Sequence, residues 1–146
     1  MSRQNTKLES EGAEFLVLGQ LLARGIPAYK TYSNMPGYDV VAFSTSIDRA
    51  AKIEVKCRSA KKTRSYGVKK IDADFFVFVH FNREAEDGDL EIIDPEYFIL
   101  PAKVVKEYSG DREDWRNVYL KKENENKHRS QWSLILDFLK MSKSKN

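Results

Sequence analysis

The run Phe75-Phe76-Val77-Phe78-Val79-His80-Phe81 places the tightest constraint on what this 146-residue chain can fold into. Only one of its side chains is polar, so it cannot lie on a sheet with one wet face. It reads as a strand buried on both sides. Such a strand needs partner strands at its edges and packing layers above and below. A chain this long can supply them within one domain, burying about 68–70% of its unfolded surface. Hydrophobic residues make up 41% and charged residues 32%, which excludes a disordered chain, a collagen-like repeat and a disulfide scaffold. Cys57 is the one cysteine, so neither an internal disulfide nor a cysteine zinc cage is available. No apolar run approaches the roughly 18–20 residues that span a bilayer. Met1-Ser2-Arg3-Gln4-Asn5 lacks an apolar signal core, so the expected location is cytoplasmic, with no membrane partner.

Around that strand the pattern predicts a mixed sheet with helices packed on it. Thr6-Lys7-Leu8-Glu9 fits a capping box that opens a helix running to Arg24, with Gly25 as its C-terminal cap. Leu8, Phe15, Leu16, Leu18, Gly19 and Leu22 fall on one broad arc, extended by Val17 and Leu21, which is expected to face the core. Residues 27–32 read as extended, 33–37 as a turn, and 38–43 and 51–57 as strands. Residues 59–70 are polar, basic and interrupted by Gly67, and read as a loop. A short strand is expected at 90–94, a helix at 101–108 opened by Pro101, a late strand at 115–121, a polar loop at 123–130 and a helix at 132–141. The expected organisation is one domain over 1–141, with a C-terminal extension from 101 and a frayed tail at 142–146. Trp115 and Trp132 read as core or interface anchors, His80 as a core histidine and Cys57 as an inert apolar-side residue.

Charge is unevenly distributed. Residues 49–70 carry nine Lys or Arg against one acid, while residues 71–100 carry nine acids against Arg83. The basic block suggests a polyanionic partner or a solvated loop. Tyr66, set among Lys62, Arg64, Lys69 and Lys70, would suit phosphates and a stacked base.

Asp39, Glu54 and Lys56 carry the chemistry. Glu54 and Lys56 alternate with Ile53, Val55 and Cys57, so the strand has one apolar side and one side bearing a carboxylate beside an ammonium. A hairpin between 38–43 and 51–57 would bring Asp39 to the same end. Two carboxylates and a lysine can hold a hard cation such as magnesium, which activates water and neutralises phosphate. They can equally form a surface ion pair across a hairpin.

Gly37-Tyr38-Asp39-Val40-Val41 followed by Ile53-Glu54-Val55-Lys56 resembles the signature of the PD-(D/E)xK nuclease superfamily, which includes restriction enzymes and small Holliday-junction resolvases. Gly12 to Val17 is similar to the first helix of that group, and Asp72 to Val77 to the strand after its lysine strand, so the resemblance covers about residues 8–81. It implies an α/β fold with a restriction endonuclease-like core, a central mixed β-sheet flanked by helices. It implies that Asp39, Glu54 and the Val55 carbonyl bind Mg2+ (or Mn2+), that Lys56 is the catalytic lysine, and that Glu14 is the first-helix acid. Glu14 lies inside the apolar arc of its helix, where a carboxylate needs a partner; Glu11, one turn earlier, shares that arc.

Two departures from the family pattern stand out. Tyr38 replaces the usual proline, and the helix usually found after the lysine strand is compressed into 58–73. The activity implied is metal-dependent hydrolysis of DNA phosphodiester bonds, with Arg58, Lys61, Lys62, Arg64, Tyr66, Lys69 and Lys70 gripping nucleic acid. The implied homodimer would use Phe98, Ile99 and Leu100 or the Trp132 helix. The alternatives are a catalytically inactive nucleic-acid binding module on the same fold, and an interaction protein using the acidic segment 84–96.

Overall fold

A computed structural model describes residues 3–31, 37–60, 64–83, 94–109 and 116–141. In chain order the elements are α1 (Arg3–Ala23), β1 (Ala28–Lys30), β2 (Val40–Ser44), β3 (Arg49–Ala60), β4 (Ser65–Val68), β5 (Phe75–Arg83), β6 (Glu96–Pro101), α2 (Ala102–Ser109), β7 (Arg116–Tyr119), α3 (Lys122–His128) and α4 (Ser133–Lys140). Five strands form a mixed sheet in the order β1-β2-β3-β5-β6. The β3–β5 pair is parallel and the other three pairs are antiparallel. This is the expected α/β architecture of a central mixed sheet flanked by helices.

Alternation along the strands sorts two cores. Ala51, Ile53 and Val55 of β3 and Phe75, Val77 and Val79 of β5 pack with α1 and α4 on one face. Phe76 and Phe78 pack on the other face with β6, α2 and a two-stranded sheet made by β4 and β7. The Phe75–Phe81 run is therefore sandwiched, as its composition requires. Asp74 sets the parallel register of β5 beside β3. It accepts the Lys52 N–H through its side chain at 2.8 Å and donates its own N–H to the Lys52 carbonyl at 2.8 Å.

Several expectations are corrected. The 59–70 segment contains β4 rather than only loop. Tyr66 and Val68 alternate with Ser65 and Gly67, and this period-2 pattern is buried against β7. Residues 123–130, expected as polar loop, contain α3, whose Glu125 and His128 turn inward; the His128 Nε2 lies 2.8 Å from the Tyr108 hydroxyl. The strand expected at 90–94 lies almost wholly outside the described residues, as do Trp115, Lys61, Lys62 and most of the acidic segment 84–96; β6 begins at Glu96. The side chains of Phe98, Ile99, Leu100 and Trp132, named for the implied dimer interface, are buried by the chain's own layers.

Helix α1 is rotated from its expected setting. Ala13, Val17 and Leu21 are fully buried, while Leu8, Phe15, Leu16 and Leu22 are exposed. The apolar arc is wider than one packing face, and the C-terminal cap decides which part of it turns inward. The Ile26 N–H reaches the Leu21 carbonyl and the Gly25 N–H the Leu22 carbonyl, with Gly25 at φ +74°. This Schellman arrangement brings Leu21 and Ile26 together in the core and fixes the helix rotation.

Candidate active site

Strand β2 accompanies β3 only as far as the Val40–Ile53 pair, whereas β3 continues to Ala60. Beyond that point the edge of β3 borders a cleft of about 360 Å³, lined by Glu9, Ser10 and Glu14 of α1, by Asp39, and by β3 residues from Glu54 to Ser59. Side chains from both faces of β3 reach this edge.

Gly37 shapes the approach. It sits at φ +91°, and a Cβ there would fall 2.8 Å from the Asp72 Cβ, so only glycine lets the chain pass. Two residues later the Asp39 N–H donates to the Ile53 carbonyl at 2.8 Å, the last bond of the ladder. The Asp39 Oδ2 then accepts the Val55 N–H at 2.8 Å, closing the gap where β2 departs. The Asp39 carbonyl is held by the Thr31 N–H at 3.0 Å and by the Thr31 hydroxyl at 3.2 Å. Main chain and side chain are thus both fixed, with Asp39 set opposite Glu54.

Glu54 lies 3.9 Å from the Lys56 Nζ, a distance that leaves the pair loose. Its Oε2 is buried with no hydrogen-bond partner among the described residues. Burial raises its pKa to about 7, opposed by Lys56 and reinforced by Asp39 and Asp72. Burial also raises Asp39, against the Val55 hydrogen bond and the charges of Lys56 and Lys30. It raises Glu14 too, against a hydrogen bond from Lys30 and with the Asp39 charge adding to the shift. Three carboxyls are thus held above their usual range in one cleft, a pattern typical of sites that await a cation or a proton.

Sequence reasoning missed Lys30, which pairs with the cleft residue Glu14. Its side chain is 3% exposed, and its Nζ lies 2.9 Å from the Glu11 Oε1 and 2.9 Å from the Glu14 Oε1. It also sits 4.9 Å from the Phe15 ring centroid. The sequence signal was the Glu11–Glu14 pair, two acids three apart on one helix face that call for a cation. Glu11 is half exposed and does not line the cleft; Glu14 does.

Of the residues expected to grip nucleic acid, Arg58 lines the cleft and donates to the Ser65 carbonyl at 2.6 Å. Lys69 and Lys70 are exposed just beyond β4. Two others are corrected. Tyr66 is buried, stacked on Phe78 at 4.3 Å with its hydroxyl 3.2 Å from the His80 Nδ1, so it cannot stack on a base. Arg64 is committed to Glu125 at 3.1 Å and Glu96 at 3.6 Å, which ties β4 to α3 and β6.

The donor set suits a hard divalent ion: carboxylates from Asp39 and Glu54, which line the cleft together with Val55, and an unpartnered buried oxygen on Glu54. Among the described residues no three His, Cys, Asp or Glu side chains converge closely enough to hold an ion by themselves. Glu14 is drawn towards Lys30 instead.

The chain matches no protein-family profile and no curated protein sequence. Among solved structures it is similar to a bacterial homing endonuclease, I-Ssp6803I, at a TM-score of 0.59 and 22% identity, covering 90% of this chain and 92% of the other. At that identity the likeness establishes a fold shared with a nuclease. Among the described residues no helix is long and apolar enough to cross a membrane.

Proposed function

We propose that this chain is a metal-dependent endonuclease acting on DNA phosphodiester bonds, a member of the PD-(D/E)xK group. The observation that carries the reading is the meeting of Asp39, Glu54 and Lys56 at the edge of β3, with a buried Glu54 oxygen lacking a partner. Asp39, Glu54 and the Val55 carbonyl would hold Mg2+ or Mn2+. The bound ion would supply Lewis acidity, neutralising phosphate charge and acidifying water. Asp39 fixes the divergence of β2 from β3, so the donors keep their spacing during turnover. Lys56, with its side chain about one-third exposed, reaches the cleft with an ammonium that orients water and stabilises the charge developing on phosphorus-bound oxygens. Arg58 at the rim and Lys69 and Lys70 beyond it, together with Lys61 and Lys62, meet the DNA backbone. The similarity in fold to a homing endonuclease supports the substrate class.

The decisive experiment is cleavage of duplex, single-stranded and branched DNA with Mg2+ or Mn2+. Asp39→Asn and Lys56→Ala are each expected to lower the rate by about 10²-fold or more. The absence of a three-acid cluster among the described residues favours, as a second reading, a DNA-binding module without catalysis. DNA binding with no cleavage under any metal condition would select it.

A further inference from the structure

Behind the cleft residue Glu14 sits a buried cation that the chain itself supplies. Lys30 rises from β1, the edge strand, into the space under α1. Its Nζ is 2.9 Å from a Glu14 oxygen and 2.9 Å from a Glu11 oxygen, and its side chain is almost fully buried. A buried ammonium is stable only with such partners, so the contact is not a loose surface pair. Glu14 lines the same cleft as Asp39 and Glu54, yet the three carboxylates do not converge. Glu14 answers to Lys30.

Resting on the metal-site reading above, we propose that Lys30 is a positioning residue that competes with the divalent ion for Glu14, holding this carboxylate off the Asp39–Glu54 site and thereby setting the site's metal affinity. The resting site is then a two-carboxylate site of modest affinity. Removing the ammonium deletes a fixed positive charge near the ion and frees a third carboxylate, and both changes strengthen divalent binding. A merely structural role predicts the opposite, because loosening α1 from β1 scatters the donors and weakens binding.

The test is calorimetric titration of the full chain with MnCl2, with no DNA and no turnover. Lys30→Met is expected to bind Mn2+ about tenfold more tightly than wild type, and the double variant Lys30→Met/Glu14→Gln to return to within about twofold of wild type. Glu14→Gln alone, which keeps Lys30 paired with Glu11, is expected to stay within about twofold of wild type. It remains informative even if Lys30→Met fails to fold. Lys30→Met binding equally or more weakly, or Glu14→Gln losing about tenfold in affinity, would overturn the proposal while leaving the Asp39–Glu54 site standing. Asp39→Asn separates the two levels: it should abolish binding, and if it binds Mn2+ like the wild type, the metal-site reading fails and the role of Lys30 fails with it.

Discussion

Two charged clusters flank the central sheet, and they are built on opposite principles. Arg64, Glu96, Glu125 and Arg129 tie β4, β6 and α3 together with two cations against two acids. Arg64 lies 3.1 Å from Glu125, and Arg129 lies 2.9 Å from Glu96 and 2.7 Å from Asn126. The cluster is charge-balanced, and each of its four charged groups is in an ion pair, although Arg64 Nη1 and Glu125 Oε2 make no hydrogen bond among the described residues. The cleft cluster has Glu14, Asp39 and Glu54 facing two lysines, one of them 3.9 Å from its acid, and all three carboxyls are pushed up in pKa. The first arrangement stabilises the fold. The second is short of positive charge at neutral pH, which costs stability and, on the function proposed above, leaves a place for a cation. Strain of this kind kept within an otherwise consistent fold is what the proposed function would use.

The comparison is broken most severely through the balanced cluster. Arg64→Met leaves Glu125, 9% exposed, without its cation. Stranding a buried charge is expensive, and with Arg64 itself one-quarter exposed the expected loss is about 2–4 kcal/mol by denaturant titration. A loss below about 0.5 kcal/mol would mean that the balance of this cluster contributes nothing to stability.

The open cluster predicts the reverse sign. Glu54 has a folded pKa of about 7 against 4.5 when exposed, so the folded state binds the proton more tightly than the unfolded chain. Stability therefore falls as pH rises between those two values, and the full penalty is present above pH 7. Glu54→Gln removes the ionisation, and in chelator it is expected to stabilise the chain by about 1–3 kcal/mol at pH 8. That gain should shrink as pH falls through 7 and vanish below about 4.5. Destabilisation by the variant at pH 8 would show that Glu54 is already satisfied and that the cleft lacks no cation.

The two clusters also differ in how far the sequence disclosed them. Asp39, Glu54 and Lys56 were legible because they sit in short-range patterns: a turn glycine before a strand, and an acid and a base two apart on the next. Strand alternation puts Glu54 and Lys56 on one side, and the antiparallel pairing of β2 with β3 brings Asp39 to them. The Arg64–Glu125 tie was illegible, because it joins residues from a segment read as loop to another read as loop. Their hidden order comes from non-local pairing, β4 with β7 and α3 against β6. The apolar run of β5 announced its burial. The rotation of α1 was ambiguous, since its apolar arc exceeds one face and the choice rests on the Gly25 cap and the Lys30 ion pairs, contacts formed only after the sheet exists. Lys30 itself was passed over because a single lysine in a short strand carries no local sign of burial.

A cleft open to DNA should lie beside phosphate contacts that neither cluster consumes. Lys69 and Lys70 are exposed. Changing both to Ala should weaken DNA binding on all sequences alike, by about tenfold near physiological salt. It should also reduce the slope of log affinity against log salt by about 2, with Mn2+ affinity unchanged. Wild-type binding at every salt concentration would move the DNA path away from this side of the sheet.

The smallest effect is expected on the outer face of α1, the helix that carries Glu14. Two features anchor this helix: its inward residues Ala13, Val17 and Leu21, and the Lys30 ion pairs on its flank. The outward residues Leu8 and Leu22 take no part in that anchoring, although they are among the most apolar of the helix. Leu22 is 51% exposed, so Leu22→Gln opens no cavity and removes little buried area. Leu and Gln also differ little in helix propensity. Stability should therefore change by no more than about 0.5 kcal/mol, and the affinity for Mn2+ should not change at all. A cost above about 1.5 kcal/mol would mean that this face is covered in solution. Raising the protein concentration then identifies the cover, because a second copy makes the melting temperature of the wild type rise with concentration while that of the variant stays flat.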